Sequence, residues 1–205
     1  MLFSFANRLF RPFSSAAIGR VRPGAMDRPT IPEGAEKATL GAGCFWGVEH
    51  MYRKHFGDKG IIDTRVGYTG GHGDSPLYRA VCSGRTGHNE ALQIYYDPEQ
   101  LSYRQILEFF YRMHDPTTLN RQGPDVGTNY RSGIYFHNEE QEKIAHEVTQ
   151  QANDQWYGGN IVTEIRPAGN WWPAEIYHQL YLENNPNGYE CPSHFLRPFK
   201  PLTQG

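Results

Sequence analysis

A chain of 205 residues, 38% hydrophobic and 14% aromatic, has the length of one ordinary domain and enough apolar mass for a real core. Its net charge of −2 is unevenly placed, because residues 1–26 carry four arginines and no acid and leave the remainder at −6, a poor footing on a nucleic-acid backbone. No apolar run approaches the roughly 18 residues of a membrane span, and three cysteines without a CxxC pair argue against both a secreted disulfide scaffold and a zinc ribbon.

In chain order, the first element is a leader. Leu2, Phe5, Ala6, Leu9 and Phe13 share one helical face, with Arg8 and Arg11 opposite and serines between. This amphipathic, Arg-rich, acid-free pattern predicts a mitochondrial transit peptide, with a proline-bearing linker up to residue 36. Met26 opens the acid-containing part, so an internal start there would give a cytoplasmic form. The folded domain is expected over 37–205. It begins with a strand at Ala38–Ala42 and passes through Gly43 into a helix from Cys44, whose Val48, Met51, Tyr52 and His55 recur at helical spacing. A strand at Ile61–Tyr68, a glycine-rich turn, a short helix at Ser75–Cys82 and an alternating strand at Ala91–Tyr96 follow.

Ser102–Met113 is the clearest helix, with Ser102 and Gln105 in capping-box positions and Ile106, Phe109, Phe110 and Met113 as its buried stripe. Residues 114–131 form an irregular stretch of the length that usually carries function. A strand at Gly133–Phe136, a helix capped by Asn138 and running to about Trp156, and a last strand at Ile161–Ile165 complete the domain. The Asn-, Gly- and Pro-rich segment from about residue 184 is expected to be a mobile, irregular tail. The order of elements predicts an α+β fold, a ferredoxin-like split βαβ plait with additional helices and strands.

The chemistry concentrates at Gly43-Cys44-Phe45-Trp46-Gly47. The spacing is wrong for a dinucleotide fingerprint, and Cys44 would stand where a phosphate should approach. A lone cysteine is by default a small buried hydrophobe. At the first turn of a helix, however, unsatisfied N–H groups and the macrodipole favour the thiolate. Nine scattered histidines, none at His-x-x-x-His spacing with a glutamate, give no sign of a metal site.

This five-residue motif resembles the signature of the A-type peptide methionine sulfoxide reductases, and the resemblance runs from about Lys37 to Tyr189. It continues in Val66-Gly67-Tyr68-Thr69-Gly70-Gly71, in Tyr78 before Val81-Cys82-Ser83-Gly84, and in Thr86-Gly87-His88-Asn89-Glu90. His114-Asp115-Pro116-Thr117, Asp125 ahead of Tyr130-Arg131-Ser132, and Tyr177-His178-Gln179 complete it. The B-type enzymes, with their zinc-binding CxxC pairs, are not matched.

The resemblance implies reduction of methionine S-sulfoxide, free or in oxidised proteins, with no bound cofactor and thioredoxin as dithiol reductant. Cys44 would attack the sulfoxide sulfur, Phe45 and Trp46 would enclose its methyl group, and Glu90 would protonate its oxygen. Tyr78 and Tyr130 would hold that oxygen, while Asp125 and Tyr189 would line the substrate site. Cys191 is the candidate resolving thiol, although Glu190 intervenes where many relatives place cysteine directly after the Gly-Tyr pair. Cys82 is expected to pack in the core, and a monomer is expected. A cysteine hydrolase or acyltransferase using His88 or His178, and a non-catalytic binder of oxidised peptides, are the competing readings.

Overall fold

The computed structural model describes residues 28–203, so residues 1–27 of the leader and linker expected over 1–36 lie outside the described residues. Strand β1 (Glu36–Ala42) leads into helix α1 (Phe45–Phe56), strand β2 (Ile61–Thr69), the short helix α2 (Tyr78–Cys82), strand β3 (Asn89–Tyr96) and helix α3 (Tyr103–Met113). A hairpin of β4 (Arg121–Gln122) and β5 (Asp125–Val126) precedes strand β6 (Ser132–Phe136), helix α4 (Glu139–Gln155), edge strands β7 (Glu164–Pro167) and β8 (Trp172–Pro173), and helix α5 (Tyr181–Asn184).

The main sheet has the order β7-β6-β1-β3-β2-β8. Strand β3 pairs antiparallel with both β1 and β2, so these two run the same way with β3 between them. That is the split βαβ expected from the order of elements. Helices α1 and α3 meet through Tyr52, whose hydroxyl donates to Ile106 O at 2.9 Å, and through Phe109, which lies edge-on to Tyr52 and Phe56. Ser102 and Gln105 form the anticipated capping box at the start of α3.

Strand alternation decides what faces α1. Leu92, Ile94 and Tyr96 of β3 belong to the core cluster shared with Val48 and Tyr52 of α1. Two residues before Leu92, the same side of the strand carries Glu90. A carboxyl group is thereby delivered to the end of the sheet where α1 begins, and it is fully buried there.

Three expectations are corrected. The strand expected at Ile161–Ile165 starts at Glu164 and is followed by a further strand, β8; the N–H groups of Ile161 and Val162 are taken by Asn153 Oδ1 and Pro116 O. Helix α2 begins at Tyr78, since Ser75 has φ of 48° and Leu77 is extended. The tail beyond residue 184 is packed rather than loose. Phe195 and Arg197 donate their backbone N–H groups to Met113 O and Arg112 O, Trp156 stacks on Phe199, and Cys191, His194 and Leu202 are buried. Polar composition hid this, because the segment's few apolar and aromatic side chains fall at irregular intervals and match no helical or strand period.

Candidate active site

Cys44 occupies the N-cap of α1, and its side chain makes no capping hydrogen bond. Gly43 before it has φ of 93°, a left-handed conformation that favours glycine, and the Gln122 side chain covers its Cα closely. Gly47, one turn later, lies against the His194 ring, where a Cβ would come within 2.3 Å of Nδ1. The two glycines thus let the 114–131 loop and the tail close over the turn that carries the cysteine.

Cys44 is only 7% exposed. Burial, then the nearby Glu90 carboxylate, raise its pKa well above the usual thiol range, while the N–H groups of Trp46 and Gly47 pull it down. The helix terminus is therefore not alone in setting the ionisation of Cys44, since burial and a like charge oppose its N–H groups in the resting site. Phe45 N–H donates to Glu90 Oε2 at 3.2 Å, and Asn129 Nδ2 approaches Oε1 at 3.5 Å. Burial pushes Glu90 up to about 8, against the lowering effect of those two donors. Near neutrality both groups therefore rest protonated, and a charge on Glu90 would further oppose ionisation of the thiol.

Around this pair lies an aromatic wall. Phe45 faces Tyr68 and His178, with ring centroids 5.9 and 5.2 Å away, and Trp46 stacks on Tyr181 at 3.7 Å. Trp46 Nε1 donates to His178 Nδ1 at 3.0 Å, which places the neutral ring's proton on Nε2, 3.8 Å from Glu175 Oε2. Burial lowers the His178 pKa and keeps the ring neutral. Tyr78 packs on His178 at 4.6 Å, and its backbone N–H donates to Glu175 Oε1. Gln179 bonds both backbone groups of Val66, and Glu49 accepts the Leu180 N–H, which fixes this segment to β2 and α1. Burial raises the pKa of both Tyr78 and Tyr130, with the Glu90 charge adding to each shift, so both phenols stay protonated donors.

On the other side, Tyr189 donates to both carboxylate oxygens of Asp125, at 2.9 and 3.0 Å. The Asp125 charge in turn raises the pKa of Glu90, Cys44 and Cys191. Cys191 is 1% exposed, and its sulfur is engaged with Gln122 O at 3.6 Å and Ser193 Oγ at 3.3 Å. Cys82, expected in the core, is exposed, because α2 turns Val81 inward and leaves the next residue outside. All three cysteines are free thiols. Among the described residues, no cluster of three or more His, Cys, Asp or Glu side chains could hold a metal ion, and no helix is long and apolar enough to cross a membrane.

The family model described as peptide methionine sulfoxide reductase matches residues 36–200. The chain belongs to this family. A peptide methionine sulfoxide reductase MsrA of Methanothermobacter thermautotrophicus is 51% identical over 152 residues, covering 74% of this chain and 88% of that protein. The crystal structure of Mxr1 from Saccharomyces cerevisiae in reduced form superposes with a TM-score of 0.78 at 46% identity, covering 81% of this chain and 94% of that one. The structure of Mxr1 in complex with Trx2 matches with a TM-score of 0.58 at 30% identity, over 85% of this chain and 96% of that one.

Within the family's frame, the residues anticipated from sequence fall into two groups. Cys44, Phe45, Trp46, Glu90, Tyr78 and Tyr130 gather around the α1 terminus, whereas Asp125, Tyr189 and Cys191 lie along the seam between the 114–131 loop and the tail. Three residues of the site carried no role in the reductase reading of the sequence. Asn129 touches the buried carboxyl, Glu175 ties the Tyr78 backbone to the Tyr68 hydroxyl, and His178 anchors the Trp46 indole. Asn129 and Glu175 belong to no periodic pattern, and His178 stood in a matched motif that left its task open.

Proposed function

We propose that this chain reduces methionine sulfoxide to methionine, with Cys44 as nucleophile and Glu90 as proton donor. The observation that carries the reading is the pairing of a buried thiol with a buried carboxyl at one helix terminus, joined through the Phe45 amide. A sulfoxide oxygen leaves sulfur only if it is protonated, and a placed general acid contributes about 10²–10⁴ in rate. A carboxyl raised to about 8 still holds its proton at neutral pH. In the state with Glu90 protonated, its like-charge effect on Cys44 vanishes, and the N–H groups of Trp46 and Gly47 support the thiolate.

The thiolate attacks the sulfoxide sulfur while Glu90 protonates the oxygen, with Tyr78 and Tyr130 donating hydrogen bonds to it. Phe45 and Trp46 enclose the methyl group, and Asp125 with Tyr189 holds the substrate backbone. The oxygen ends on Cys44 as a sulfenic acid and methionine departs. Cys191 then displaces it as water to form a disulfide, for which the two Cα atoms must come within about 7 Å. Because Cys191 is packed against Gln122, this step requires the segment carrying it to leave its seat. A thioredoxin dithiol restores both thiols by exchange, consistent with the solved complex of the yeast relative with Trx2.

The A-type motifs support preference for the S epimer. The Arg-rich leader supports a mitochondrial form, with a cytoplasmic form starting at Met26. Mapping the N-termini of the endogenous protein from separated mitochondria and cytosol tests that assignment, and a single full-length form would end it. A cysteine hydrolase fits the site poorly, since the group paired with the nucleophile is a carboxyl and the Nδ1 of His178 is occupied by Trp46. The decisive experiment is anaerobic mixing with one equivalent of methionine sulfoxide, followed by mass mapping. One methionine released and a Cys44–Cys191 bridge are expected. Binding of sulfoxide peptides without methionine release would leave only a binding module.

A further inference from the structure

Among the described residues nine large hydrophobic side chains are exposed, and five of them, besides Tyr189 of the site itself, sit in two groups on the segments that carry Tyr78, His178 and Asp125. On one side stand Leu77, Ile176 and Tyr177. Leu77 precedes Tyr78, whose N–H is held by Glu175, and Tyr177 packs on His178 at 4.3 Å, so the group borders the aromatic wall. On the other side stand Leu119 and Val126, on the loop and hairpin that carry Asp125. Leu77, Leu119 and Val126 are 69%, 73% and 68% exposed. Scattered surface apolar residues need no explanation, but groups bordering a polar reaction centre from two sides mark a contact surface.

Given the proposed reductase activity, on which this inference rests, we infer that the two rims bind the residues flanking an oxidised methionine in an extended polypeptide and select segments with apolar neighbours. The physical logic lies in the substrate. Methionine is a core-filling residue, and its oxidation makes it polar and disrupts the core around it. The segments that then expose a sulfoxide carry the aliphatic neighbours of that core. Leu77 and Tyr177 adjoin Tyr78 and His178, and Val126 adjoins Asp125, so residues on either side of a bound sulfoxide would fall on them.

The test compares three substrates with dithiothreitol as reductant: free methionine sulfoxide, and two lysine-capped peptides with two leucines or two serines on each side of the sulfoxide. Two variants are used, Leu77→Ser with Ile176→Ser, and Leu119→Ser with Val126→Ser. Each is expected to lower kcat/KM for the leucine peptide roughly tenfold, through KM, since each exposes contacts of about two aliphatic side chains. Rates on the serine peptide and on free sulfoxide should not change. Should a double variant lose activity on free sulfoxide, Ile176→Ser and Leu119→Ser alone replace it, with about a threefold change expected.

An unchanged leucine-to-serine ratio in every folded variant would overturn the inference. So would a loss confined to thioredoxin-driven turnover, which would assign the rims to the reductant, or a change in sedimentation alone, which would assign them to a second copy of the chain. Failure of the wild-type protein to reduce free sulfoxide would instead refute the reductase reading itself.

Discussion

The regions that carry Cys44 and Cys191 are built in opposite ways. Cys44 stands on a regular scaffold, a strand running into a helix, with glycines where the chain must turn sharply and pack closely. Cys191 stands on irregular chain that is nonetheless tied down, by Gln122 and Ser193 at the cysteine and by backbone bonds from Phe195 and Arg197 beyond it. The difference separates two tasks. On the proposed mechanism the first sulfur is held against a fixed carboxyl and the second travels, and the second is held by separate hydrogen bonds rather than by a regular element.

The largest expected effect is on the fixed side. Cys44→Ser should reduce methionine release from free and peptide sulfoxide to background in a chromatographic assay, since a serine hydroxyl has no comparable nucleophilicity. Glu90→Gln should slow the first turnover by about 10²–10⁴. The wild-type rate should fall as pH rises through about 8, because the acid form exists only below that pKa. In Glu90→Gln that alkaline limb should vanish; a limb that persists would assign it to another group.

On the travelling side, Cys191→Ser should release one methionine per protein with thioredoxin and then stop, visible as a burst without steady turnover. His194 probes the seat itself. Its Nε2 donates to Ala42 O at 2.7 Å, joining the tail to the strand that leads into the nucleophile. His194→Ala should leave the first-turnover rate within about threefold while raising Cys191 labelling several-fold, as a hydrogen bond of about 1 kcal/mol is lost. If the first turnover instead collapses, the tail belongs to the fixed region and the contrast fails. The smallest effect serves as a control. Ser102→Ala removes a capping box remote from both sulfurs and should lower Tm by about 2–4 °C, with both steps unchanged.

The regular side of this contrast was legible in the amino-acid order. Glycines around Cys44, the Ser102–Gln105 box and the alternation of β3 are local signals, and each is realised where it occurs. What stayed hidden is long-range. Glu90 reads as a polar strand end until β3 is placed beside α1, and the ionisation of Cys44 depends on that same neighbour. Cys82 looked like a core residue by type, yet a short helix sets its direction. The tail looked loose by composition, since no periodicity records that His194 fits against Gly47.

The outward-facing Cys82 has a practical corollary. A sulfhydryl reagent added to the native reduced protein meets one open group first, and that group is not the reaction centre. Stoichiometric counts and inactivation kinetics would then diverge, with most colour developing before any turnover is lost. Replacing position 82 by serine would make each remaining equivalent of reagent report on chemistry that matters.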